Sequence, residues 1–147
     1  MTDKFSTAVT INSEPATVWA TLTEHQLMTQ WMADPETKIE VHTNWKINEG
    51  ILIRGFHHVE FENKGIVLTY DKEKKLSYSH LSSLSRLPDK RENYSILEFV
   101  LTPVDKQTLL TLFITNFPTE TIRKHLEFYW RGTMVKIKKA VEAQMAQ

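Results

Sequence analysis

From Thr119 to Glu142 the chain places apolar residues at steps of three and four: Ile122, Leu126, Trp130, Met134, Ile137 and Val141. That spacing predicts one long amphipathic helix. It follows a run of segments that alternate apolar and polar residues in the manner of strands. A stripe of this length needs an apolar surface as broad as itself, and the short helical segments near the N-terminus cannot supply one. A sheet can. The expected architecture is therefore α+β, a curved antiparallel sheet wrapped around a long C-terminal helix. Thr119 offers a cap for that helix and Glu120 sits at its positive end, while Lys136, Lys138 and Lys139 lie near the negative end.

The strand periods begin with Phe5, Thr7, Val9 and Ile11, alternating with Ser6, Ala8, Thr10 and Asn12. The period then changes. Asn12-Ser13-Glu14-Pro15 reads as a helix start, with Val18, Trp19 and Leu22 turned inward. A second short helix after Thr23 presents Leu27, Met28 and Trp31 and stops at Asp34-Pro35. Two helices are more than a meander needs, so they are expected to plug one end of the sheet. Strand signals return over Lys38–His42, Gly50–Phe61, Gly65–Tyr70, Leu76–Leu84, Tyr94–Leu101 and Thr108–Phe117. Charged turns are expected at 70–75 and 103–107, and a turn at Glu62-Asn63-Lys64-Gly65 with the glycine at positive φ. Residues Ser85 to Glu92 are the most loop-like, a candidate mobile lip for any cavity.

A chain of 147 residues fits one domain over 1–147. Lys plus Arg balance Asp plus Glu at 18 each, which predicts no overall attraction to nucleic acid or anionic membrane. The absence of cysteine removes disulfides, thiolate catalysis and cysteine-based zinc sites. The N-terminus lacks the pattern of a signal peptide and no run of about 18 apolar residues occurs. A soluble, cytoplasmic protein without membrane insertion is expected, as a monomer or weak homodimer. No phosphate loop, paired-carboxylate motif or serine–histidine–acid arrangement has recognisable context, and no cofactor is expected.

Five segments together resemble the START-like, or SRPBCC, superfamily, within it the group named after the activator of the heat-shock chaperone ATPase. They are Pro15 to Thr23; Trp31-Met32-Ala33-Asp34-Pro35; Thr43-Asn44-Trp45-Lys46-Ile47; Gly65 to Leu68 with Leu76 to His80; and Glu92-Asn93-Tyr94 followed by Leu97, Phe99 and Leu101. The resemblance covers nearly the whole chain and implies a helix-grip fold. Two departures stand out. Asn48-Glu49-Gly50 replaces a glycine close after the Ile47 position, and Tyr129 stands where a glycine often precedes the tryptophan of the last helix, narrowing the expected cavity. Members bind hydrophobic or amphipathic small molecules between helix and sheet, and some relatives are cyclases, hydroxylase components or co-chaperones.

The resemblance thus implies a small hydrophobic ligand, held without covalent chemistry, in a cavity lined by Trp31, Trp45, Phe56, Tyr78 and His80, with Phe99, Leu112, Leu126 and Trp130 completing the wall. A cyclase- or dehydratase-type enzyme using His80 or Tyr78 is the catalytic alternative. An interaction module acting on a chaperone is the third. Each residue also has a plainer role. Trp31, Trp45 and Trp130 can equally be core, as Trp19 is read to be. His80 alternates with Leu76 and Tyr78 and either faces the cavity or is a satisfied strand-end histidine. Arg54 shares a face with Leu52 and Phe56, opposite Ile51 and Ile53, and is solvated if the isoleucines face inward; Glu98 likewise reads as outward. His57-His58 with Glu60 is the nearest approach to a metal cluster, but neighbouring strand residues point to opposite faces. Solvent-exposed polar groups are the simpler reading.

Overall fold

The computed structural model describes residues 4–32, 37–57 and 59–145. Its strands are β1 (Lys4–Ile11), β2 (Glu40–His42), β3 (Gly50–His57), β4 (Val59–Asp71), β5 (Lys75–Ser82), β6 (Ser95–Val104) and β7 (Gln107–Thr115). The helices are α1 (Pro15–Thr23), α2 (His25–Met32) and α3 (Glu120–Met145). One antiparallel sheet has the order β1-β7-β6-β5-β4-β3-β2. Its first strand pairs with its last, from Lys4 opposite Thr115 to Ile11 opposite Thr108. Strands β1 and β2 are therefore opposite edges, and the chain must cross the whole sheet between them. That crossing is why two helices stand where a meander would have a turn.

The stripe on α3 faces the sheet as its spacing requires: Leu126, Trp130, Met134, Ile137 and Val141 are all buried. They join one core with the inward residues of the strands and with Val18, Trp19, Leu22, Met28 and Trp31 of α1 and α2. Thr119 caps α3 by accepting from the Ile122 amide at 3.1 Å. At the other end Lys138 Nζ donates to the Thr10 carbonyl, and Glu142 accepts from both Lys138 and the Asn12 amide. These bonds fasten the last turns of α3 to the end of β1. Pro15 opens α1, where its missing N–H costs nothing. The stop expected at Asp34-Pro35 lies outside the described residues.

The expected turn at Glu62 to Gly65 is not a turn. All four residues lie within β4, and the reversal comes earlier, where His57 pairs with Val59. No glycine among the described residues has positive φ. Gly65 serves a different purpose: a Cβ there would collide with the Ser79 carbonyl oxygen, so the glycine lets β4 and β5 approach. Left-handed backbone is instead taken by Lys38, Trp45, Asn48, Glu73, Arg86, Asp105 and Asn116. Glu73 and Asp105 turn the β4–β5 and β6–β7 hairpins. Asn48, at φ 70, supplies the left-handed bend at the position where the resemblance led a glycine to be expected.

Candidate functional site

Strand β5 presents Leu76, Tyr78 and His80 toward α3, and Tyr78 begins a set of ring contacts that spans the interior. Its ring centroid lies 6.3 Å from Phe99 on β6 and 6.3 Å from Trp45 in the β2–β3 connection. Phe99 meets Trp130 of α3 edge-on at 5.7 Å, and Trp130 meets Trp31 of α2 at 6.2 Å. Trp45 also stacks on Tyr70 at 5.9 Å, and Tyr70 meets Trp19 at 5.1 Å. Three helices and three strands thus share one aromatic wall, and such pairs contribute beyond the area they bury.

Polar groups are sparse within it. Tyr78 is 3% exposed, and its hydroxyl makes no hydrogen bond to a described residue. Burial, with Tyr129 nearby, raises its pKa above the ordinary value of 10.0. A buried hydroxyl normally has a partner, so an unpartnered one calls for a reason. His80, two residues along the same face, is only partly exposed. Burial pushes its imidazole down from 6.5 to about 4, with His125 a second cause, so the ring is neutral at physiological pH. A neutral imidazole can donate from one nitrogen and accept at the other. Tyr129 completes the cluster: its ring meets Trp130 edge-on at 5.3 Å and stacks toward His125 at 6.3 Å. Its hydroxyl donates to the Met32 carbonyl at 2.9 Å, closing the end of α2.

Two of the tryptophans have a bonding duty. Trp31 Nε1 donates to the Thr21 carbonyl at 2.9 Å and Trp45 Nε1 to the Thr23 carbonyl at 2.7 Å. Both oxygens belong to the last turn of α1, where helical partners are missing. Trp45 is also half-buried and left-handed, at φ 58, a conformation rare for a bulky residue. Its ring contacts and its hydrogen bond hold it there, and strain of this kind concentrates at binding sites and switches.

Of the residues expected to line a cavity, Trp31, Tyr78, Phe99, Leu112, Leu126 and Trp130 are buried in one cluster, with Trp45 packed against it. His80 borders them. Phe56 does not join them: it is 51% exposed and shares the outer face of β3 with Arg54, because Ile51 and Ile53 take the inner face. The period of two allows only one of these sets inside, and Phe56 is removed from the lining. Arg54 pairs with Glu62 at 3.1 Å on that outer face. Sequence reasoning omitted Tyr70 and His125. Tyr70 follows the register shift between Val67 and Thr69, which turns it onto the inner face against the strand period.

The described residues hold no group of three or more histidines and carboxylates that could bind a metal. His58 and the His57 side chain lie outside the described residues. Two open pockets occur away from the aromatic wall's centre. One, of about 360 Å³, lies between α1 and Tyr70, Lys72 and Glu73. The other, of about 910 Å³, is on the outer face, walled by Lys64, Ile66, Leu68 and Ile96 and closed by Arg91, Glu92 and Tyr94. The segment expected to be a lip is thus tied to this outer face, through Asp89 to Lys64 and Tyr94.

The family described as "Activator of Hsp90 ATPase homolog 1-like protein" matches residues 12–142. Comparison with curated proteins gives no match. Among solved structures, a protein of Cytophaga hutchinsonii is 27% identical, with 99% of this chain and 97% of that one covered at a TM-score of 0.80. One from Chromobacterium violaceum, 12% identical, covers 95% and 96% at 0.81. The Aha1 dimer of Colwellia psychrerythraea, 17% identical, covers 95% and 96% at 0.75. The last two likenesses establish the fold. No helix among the described residues is long and apolar enough to cross a membrane.

Proposed function

We propose, for a chain that belongs to the Activator of Hsp90 ATPase homolog 1-like family, that it binds a small hydrophobic or amphipathic molecule between β5 and α3 without covalent chemistry. The observation that carries this reading is the Tyr78 hydroxyl, buried in an aromatic wall with no hydrogen-bond partner among the described residues. Leaving such a group unpaired costs roughly 1–3 kcal/mol. A ligand with a carbonyl or hydroxyl group removes that cost, while its apolar body takes contact area from Phe99 and Trp130. Neutral His80 offers a second donor or acceptor on the same strand face. Trp45 is the wall that yields, since it is half-buried, left-handed and carried by a connection rather than by a strand.

Tryptophan fluorescence titrated with flavonoids, polycyclic aromatics and fatty acids tests the reading. A ligand that binds with amide shifts on β5 and the middle of α3, and that loses about tenfold in affinity on Tyr78→Phe, supports it; tenfold corresponds to about 1.4 kcal/mol, within the range of one hydrogen bond. Absence of binding by every class, or shifts confined to the outer surface, overturns it. Chemical conversion of a bound ligand, lost on His80→Gln, would replace it with the cyclase- or dehydratase-type reading.

A further inference from the structure

The side of α3 that faces away from the sheet has its own pattern. Phe128 is 83% exposed and Val135 45% exposed, and both lie on one outward line with Gly132 between them. Around them Lys124, Arg131, Lys136 and Lys139 are all exposed. None of the four forms an ion pair among the described residues, although the Arg131 guanidinium lies 5.0 Å from the Phe5 ring. Two acidic residues of the helix are already engaged, Glu127 by Arg123 and Glu142 by Lys138. Among the described residues, a chain with no net charge thus gathers cations without an ion-pair partner around Phe128, the large apolar side chain most exposed there.

Gly132 adds an independent observation. A glycine inside a helix is destabilising relative to alanine, a cost that close packing against the glycine can offset. Here a Cβ would meet nothing within 4 Å. The fold does not need this glycine, and what it provides is a flat place on the helix where another backbone can come close.

We infer that the outward face of α3 docks an acidic amphipathic helix of another protein. Its apolar residues rest on Phe128, Gly132 and Val135, and its carboxylates oppose Lys124, Arg131, Lys136 and Lys139. The stripe from Lys124 to Lys139 is about 22 Å long, room for roughly four turns of such a helix. A second copy using the same face is disfavoured, because two-fold pairing would set cations against cations. A lipid surface is a poorer fit: the broad apolar face of α3 is buried on the sheet, which leaves one Phe and one Val to insert.

The test uses the full chain and a fluorescent synthetic helix with leucine at steps of three and four and glutamate elsewhere. A glutamine-for-glutamate version and phosphatidylglycerol vesicles serve as comparisons. Saturable binding of the acidic helix is expected, with amide shifts along Lys124 to Lys139 and affinity falling as salt rises. Gly132→Trp, whose side chain enters open space, and Phe128→Ser should each weaken binding at least fivefold while thermal melts show both folded. Lys124→Glu with Arg131→Glu should weaken it more. Equal binding of the glutamine helix, preference for the vesicles, shifts on β5, or unchanged affinity in both Gly132→Trp and Phe128→Ser overturns the inference. None of these residues lines the interior, so failure here leaves the small-molecule reading standing, and the reverse.

Discussion

Strands β7 and β5 flank β6 and face the same helix, yet their inner surfaces differ in kind. The inner face of β7 carries Thr108, Leu110, Leu112 and Ile114, all at 0% exposure, and its one polar group is satisfied by a bond from Thr108 to the Ser13 carbonyl. The inner face of β5 carries Leu76, Tyr78 and His80, with a hydroxyl that has no partner among the described residues and a ring whose charged form is suppressed by burial. Close-packed aliphatic residues make a wall that can only hold the fold together. A wall with unspent hydrogen-bonding groups can also recognise something. The comparison separates the part of the interior that is scaffold from the part that is available for function.

Truncations on each side probe that division with the largest effects. Trp130→Ala, which removes the ring joining Phe99 to Trp31, should cost about 3–5 kcal/mol, and Leu112→Ala about 2–5 kcal/mol. Denaturant melts measure both, and a loss within about 0.5 kcal/mol for Trp130 would mean that the aromatic side is not core at all. Tyr129→Phe is milder. It strips the Met32 carbonyl of its donor at a site still 37% exposed, and a loss of about 0.5–1.5 kcal/mol is expected in the same melts.

The pH dependence sharpens the contrast, since β7 offers nothing to titrate. The His80 pKa is lower in the fold than in the unfolded chain, so the unfolded chain takes up the proton first. Its contribution to stability is complete above about 6.5 and is lost as pH falls toward about 4. Chemical denaturation across that window should show a slope that His80→Gln removes; an identical slope in the variant would show that the β5 wall is not the cause. The smallest effect belongs to the far side of α3. Gly132→Ala should raise stability by about 0.5–1 kcal/mol, because the added methyl group meets no neighbour. A destabilised variant would mean that the fold itself needs the glycine.

Much of the architecture was legible in local patterns. The step of three and four from Ile122 to Val141 identified α3 and its buried side, and alternation identified most strands, because both periods follow directly from backbone geometry. Their limits were harder to read. Glu62 to Gly65 looked like a turn from composition, but the pairing of β4 with β5 overrode local preference. Phe56 was expected in the cavity lining, but the facing of β3 was left open by its alternation, and the burial of Ile51 and Ile53 turned Phe56 out.

What the sequence by itself determined is therefore the order of strands and helices and the buried side of α3, since these depend on spacing along one chain. Only the tertiary structure decided which groups remain unspent. Tyr78 finds no partner among the described residues, Trp31 and Trp45 bond carbonyls at the end of α1, and Gly132 faces open space, none of which the spacing along the chain announces. Hydrogen-bond satisfaction and steric room are properties of neighbours in space, and no period along the chain encodes them.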